Sequence, residues 1–173
     1  MKSRLLADFE SEATISLLSE AKILTDPSAF KGAAYARLTV PSSGVELSRS
    51  SAVRESYTTP RNMPVTDGFL IYMRAANQYS SDHLMTTLAG GPLVIKQRDP
   101  ALAFSTYTGI CPVGLRPELW EAVFFPSPLF DIPLHPQTTG ISVQILSLLA
   151  GDQIIVDIDA IFGVTWNRSV SEV

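Results

Sequence analysis

The chain is poor in the side chains that usually carry chemistry. Its 173 residues hold one cysteine, Cys111, and two histidines, His83 and His135. A lone cysteine excludes an intrachain disulfide and points to a reducing, intracellular compartment. Cys111 precedes a proline and lacks a Cys-x-x-Cys partner, so it reads as a small buried hydrophobe. Neither histidine has the spaced His or Cys partners of a zinc site, so no metal is expected. A Ser-His-Asp set can be drawn through His83, which follows Asp82, but no Gly-x-Ser-x-Gly elbow supports it. His135 reads as a loop residue. Gly90-Gly91 has no following Lys-Ser or Lys-Thr and reads as a tight turn, not a phosphate loop. No cofactor is expected and no catalytic residue is assigned.

Charge is scarce as well. Charged residues make up 17% of the chain, against about 25% in ordinary domains. The formal net charge is −4 and the cations are scattered singly. Nucleic-acid backbones need clustered cations, so no direct nucleic-acid partner is expected. A folded patch of Arg49, Arg54, Arg61 and Arg74 is the one route to a basic surface. Long apolar runs are missing too, and nothing approaches the roughly 20 residues of a membrane helix. The first residues begin like a signal peptide, then Asp8, Glu10 and Glu12 interrupt the apolar stretch. Asn167-Arg168-Ser169 matches a glycosylation sequon, read as chance.

What is present is β-texture and proline. Residues 33–40 and 68–74 read as strands, the second apolar enough for burial on both faces. Residues 45–59 read as one or two polar edge strands. Leu93–Lys96 and Leu102–Tyr107 read as strands around an Asp99-Pro100 turn. Residues 141–145 and 154–166 alternate and are read as a hairpin closed at Ala150-Gly151-Asp152. In the second arm Ile154, Val156, Ile158, Ala160, Phe162, Val164 and Trp166 share one parity, a period-two pattern that a helix does not produce. Gly163 is the expected bend.

Two helices are expected beside the strands. Leu6, Phe9, Ala13, Leu17, Ala21 and Leu24 recur every three or four residues, which predicts a helix over 3–24, with a short strand from Ala13 to Leu18 as the rival. Asp26-Pro27-Ser28 ends either. Pro117 and Glu118 open a short helix through Trp120 and Val123. The fold class is therefore mainly β: an antiparallel, jelly-roll-like β-sandwich with an N-terminal helix and one short connecting helix. One domain is expected over 1–173, divided into a helical 1–31 and a sandwich over 32–173.

Two groups of residues stand out as candidate sites. The tract Phe124, Phe125, Leu129, Phe130, Ile132 and Leu134 lies in the proline-rich stretch 126–138 or beside it, and reads as a protein interface or a lid on the core. Asp157 and Asp159 are two apart on a strand, about 7 Å along one face. They read as solubilising charges on a wet face, with a ligand or calcium role as the rival. Tyr72, Tyr79, Tyr107, Trp120 and Trp166 could form a sugar-stacking platform, with core packing the simpler reading for both tryptophans.

Through Gly68–Arg74 and Gly151–Trp166 the chain resembles the jelly-roll capsid and surface (decoration or protrusion) proteins of non-enveloped viruses. That resemblance implies a non-enzymatic structural protein that self-associates or docks on a larger protein shell, as a homo-oligomer in a host cytoplasm or virion. Residues 1–31 depart from the pattern, because they lack the basic arm that meets a genome. The alternative is a carbohydrate- or ligand-binding β-sandwich module.

Overall fold

A computed structural model of the protein describes residues 2–10, 15–18, 20–45, 49–62, 67–77, 84–91, 93–95, 102–104, 107–112, 115, 117–127, 137–147 and 151–165. Thirteen strands run through them. They are β1 (Lys2–Ala7), β2 (Ile15–Leu18), β3 (Ala21–Thr25), β4 (Ala34–Val40), β5 (Arg49–Asn62), β6 (Gly68–Ala75), β7 (Met85–Gly91), β8 (Leu93–Ile95), β9 (Leu102–Phe104), β10 (Tyr107–Pro112), β11 (Glu121–Pro126), β12 (Gln137–Ser147) and β13 (Ile154–Thr165). One sheet is ordered β11-β6-β13-β4-β3, with β1 pairing the far half of β13. The other is ordered β10-β7-β12-β5-β2, and β8 pairs β9 separately. Every ladder within the sheets is antiparallel.

The two sheets face each other across one core. Leu38, Phe69, Ile71, Met73, Val156, Ile158 and Phe125 fill it from the six-stranded sheet, and Val53, Leu88, Ile141, Val143 and Ile145 from the five-stranded one. Alternation supplies this layer directly, since every second side chain of a strand faces the same way. Burying each large aliphatic contributes about 1.5–3 kcal/mol. Arg49 staples one end. Its Nη1 donates to the carbonyl oxygens of Pro41, Gly151 and Asp152, and its Nη2 to Ser147 Oγ.

Several expectations are corrected here. The segment read as a helix over 3–24 holds β2 and most of β1 and β3. Phe9 breaks any helix by adopting the left-handed region, φ 58°, and its N–H donates to Glu55 Oε1 at 3.2 Å. The residues of that spacing share no single apolar face: Leu6 and Phe9 are in the core and Ala21 packs against it, while Leu17 is exposed. The rival strand survives as β2. The helix expected from Pro117 is also absent. Glu118 is left-handed at φ 62°, Pro117 bridges Ala75, and Glu121–Pro126 pairs β6.

The polar stretch read as edge strands is one 14-residue strand, β5, lying inside its sheet between β12 and β2. The hairpin read at the C-terminal end is an arch. β12 pairs β5 and β7, while β13 pairs β6, β4 and β1 in the opposite sheet. Alternation is identical in both cases, because each strand turns its apolar parity to the core from its own side. The bend in β13 lies between Ile158 and Ile161 rather than at Gly163. Beyond it the inward parity shifts, so Ile161 joins the core and Phe162 faces out against Tyr72.

Candidate functional site

The outer face of the six-stranded sheet is built on a charge triplet. Antiparallel register sets Asp157 of β13 opposite Arg37 of β4 on one side and Arg74 of β6 on the other. Arg37 grips the carboxylate with Nε 2.8 Å from Oδ1 and Nη2 3.1 Å from Oδ2. Arg74 places Nε at 3.1 Å and Nη2 at 2.8 Å from Oδ2. Two-pronged charge-assisted bonds of this kind are the strong ones. The pairing with Asp157 holds the Arg37 guanidinium above its usual pKa. Asp157 and Asp159 are both completely buried. They are therefore not solubilising charges on a wet strand face.

A cover lies over this triplet. It consists of the loop from Asp26 to Ala33 and the segment from Pro117 to Trp120. Arg74 donates to Ser28 O and Ser28 Oγ. The Trp120 indole N–H donates to Ser28 O at 2.8 Å. Arg74 also sits 4.4 Å from the Trp120 ring centre and 5.2 Å from that of Tyr35, in the range of cation–π attraction. Tyr35 donates to Asp26 Oδ2 at 2.7 Å, and Phe30 stacks on Tyr72 with centroids 3.8 Å apart. Bonds from Ser28 and Tyr35 hold the Asp26 carboxyl below its ordinary pKa. Burial, chiefly, raises the Tyr35 phenol above its own.

The near end of the cover is held by carboxylates. Asp159 Oδ2 accepts from the Lys31 backbone N–H at 2.7 Å, and Glu10 accepts from Ala33 N and Ala34 N. Gly32, left-handed at φ 67°, has no room for a Cβ, which would strike the Glu10 carboxylate. Burial pushes the Asp159 carboxyl up to about 6, the charges of Glu10 and Asp8 add to the rise, and the N–H groups of Lys31 and Phe30 oppose it. Beside the triplet remains a shallow pocket of about 210 Å³ lined by Arg37, Arg74, Ala76, Glu118 and Asp157. Among the described residues no group of three His, Cys, Asp or Glu side chains converges to hold a metal.

The outer face of the five-stranded sheet is different. Register places Ser16 of β2, Arg54 of β5 and Ser142 of β12 in one row across it. The next row holds Ala52, Gln144 and Thr87, and the one after it Ser50, Leu146 and Met85. Apart from exposed Ser16 and buried Ala52, these residues are half-buried. None of the nine is acidic, and Arg54 alone among them carries charge. Partial burial lowers the Arg54 pKa from its usual value. Where the first face is a closed network, the second is a strip of small polar groups around one cation.

The candidate residues read from sequence fall in several places. Phe125 is fully buried in the core and presents no interface, while Phe124 is half-buried. Leu129, Phe130, Ile132 and Leu134 lie outside the described residues, as do His83, His135, Tyr79 and Trp166. Trp120 belongs to the cover over Asp157, and Tyr72 lies on β6 beneath the cover residue Phe30. Trp120 is half-buried outside the core rather than packed within it. The four-arginine patch does not form among the described side chains. Arg49 is at the sandwich end, while Arg54 and Arg74 stand on different sheets. Sequence reading missed Arg37 as a partner of Asp157 and the placement of Arg54 on the outer face of the other sheet. For Arg54 the available signal was a lone cation on the outward parity of a serine-rich strand.

Neither a family model nor a curated protein matches the chain. Solved structures do. The family 11 carbohydrate-binding module of the cellulosomal cellulase Lic26A-Cel5E of Clostridium thermocellum superposes with TM-score 0.58 at 8% identity, covering 98% of each chain. A family 11 module from the same organism, in complex with a β-1,3-1,4-mixed-linked tetrasaccharide, gives 0.57 at 9% identity over 96% of this chain and 98% of that one. An agarase, AgWH50C, gives 0.56 at 8% identity, with 98% of this chain matched to 25% of that one. At these identities the likeness is one of fold. The expectation of a shell-building structural protein, viral or otherwise, is overturned by these neighbours, the first two of which are carbohydrate-binding modules. The fold they share with this chain is a β-sandwich of the carbohydrate-binding-module type.

Proposed function

We propose that this protein is a non-catalytic carbohydrate-binding module whose ligand lies along the outer face of the five-stranded sheet. The observation that carries the reading is the contrast between the two faces. One has its charges neutralised in a buried triplet under a bonded cover. The other leaves Ser16, Arg54, Ser142, Gln144 and Thr87 in adjoining rows across a sheet. Saccharides need many shallow hydrogen bonds along an extended surface, and a row of hydroxyl, amide and guanidinium groups supplies them. The names of the structural neighbours support the same class of ligand. The jelly-roll-like reading goes with it, since the chain changes sheet at nearly every strand.

Affinity electrophoresis through gels containing soluble polysaccharides, neutral and acidic, tests this. Retardation by at least one is expected. Gln144→Ala should weaken it several-fold, while Trp120→Ala should lower the melting temperature and leave retardation unchanged. No retardation by any polysaccharide, with no heat in titration calorimetry, contradicts the proposal.

A further inference from the structure

We infer that the saccharide bound by this face carries an anionic group, a carboxylate or a sulfate ester, which docks on the Arg54 guanidinium. The inference rests on the carbohydrate-binding reading and narrows its ligand class. Arg54 sits in β5 with Ser16 and Ser142 directly opposite it on the two flanking strands. Its neighbours two residues along β5 are Ala52 and Ser56, and the diagonal position on β12 is Gln144. None of these five is acidic. The nearest acid in sequence, Glu55, has the opposite parity and is buried, with Oε1 accepting the Phe9 N–H.

The other outer face shows what this chain does with a cation it intends to neutralise. Arg37 and Arg74 are both paired with Asp157 at 2.8 Å. Among the described residues no hydrogen bond or ion pair holds Arg54. A half-desolvated cation without a counter-charge is unfavourable in the free protein, and burial lowers its pKa accordingly. A planar guanidinium matches a carboxylate or sulfate through two parallel N–H bonds. Exposed Ser16 on the flanking strand adds a hydroxyl at the same height. An anionic sugar would therefore gain at Arg54 what a neutral sugar cannot.

The test compares three classes of polysaccharide by affinity electrophoresis and calorimetry. They are neutral (mixed-linkage β-glucan, agarose), uronate-bearing (alginate, polygalacturonate) and sulfated (carrageenan, chondroitin sulfate). The expected result is binding to one or both anionic classes, weakened as salt rises. Arg54→Gln should reduce that binding at least tenfold without lowering the melting temperature, and Arg54→Lys should recover part of it. Uronate and sulfate arms separate the two sources of charge. Binding to neutral polysaccharides alone, unchanged in Arg54→Gln, overturns this inference and leaves the carbohydrate-binding reading standing. Anionic binding that is unchanged in Arg54→Gln also overturns it. No binding to any class overturns both.

Discussion

At the scale of single residues, Asp157 and Asp159 differ although both carboxylates are buried. Asp157 is matched by two guanidiniums, and removing its charge leaves two cations facing each other under the cover. Asp157→Asn should destabilise the protein by about 3 kcal/mol in urea unfolding, since breaking a buried pair from one side strands its partners. Partial exposure of Arg37 and Arg74, whose side chains are 28% and 12% accessible, limits the loss. Among the described residues no cation pairs Asp159, and burial pushes its carboxyl up to about 6 in the folded protein, above the 3.8 of a free aspartate. The folded state thus holds a proton that the unfolded chain has released between about pH 4 and 6. Stability contributed here falls as pH rises through that window. Asp159→Asn keeps an oxygen to accept the Lys31 N–H. It should raise the melting temperature at pH 7.5 by about 3 °C and by nothing at pH 3.5. Thermal scans of both proteins across this range check the sign.

At the scale of elements, β13 shows what periodicity conveys and where it stops. The alternation from Ile154 to Ile158 correctly gives a strand with one apolar face in the core. The parity shift before Ile161 is invisible in the letters, because Ile161 and Phe162 are both apolar and either could face inward. Ile161→Ala should therefore cost about 2–5 kcal/mol. Phe162→Ala, at a half-buried outward position, should cost less than half as much. Strict alternation predicts the reverse, and urea unfolding of the two variants distinguishes them. The N-terminal strands were hidden for a related reason. The 3.6-like spacing there joins residues in different settings, core Leu6 and Phe9 with exposed Leu17, and the left-handed Phe9 donates its N–H to Glu55, 46 residues away. Asp157 was legible as a candidate, but its partners were not. Arg37 lies 120 residues from it and Arg74 83, so only the register of β4, β13 and β6 brings them together.

At the scale of the whole molecule, one face of the sandwich carries a bonded cover, and function is assigned to the other face. The class of fold was readable from strands, turns and the absence of chemical motifs. The choice of face was not, because it depends on which loops fold back over which sheet. The direct measurement is a map of backbone amide chemical-shift changes when the retained oligosaccharide is titrated into labelled protein. The largest changes are expected in residues 50–54, 85–88 and 142–146, with the cover at 26–33 and 117–120 unmoved. Changes concentrated around Ser28, Arg37, Glu118 and Trp120 would contradict it and move the site to the opposite sheet.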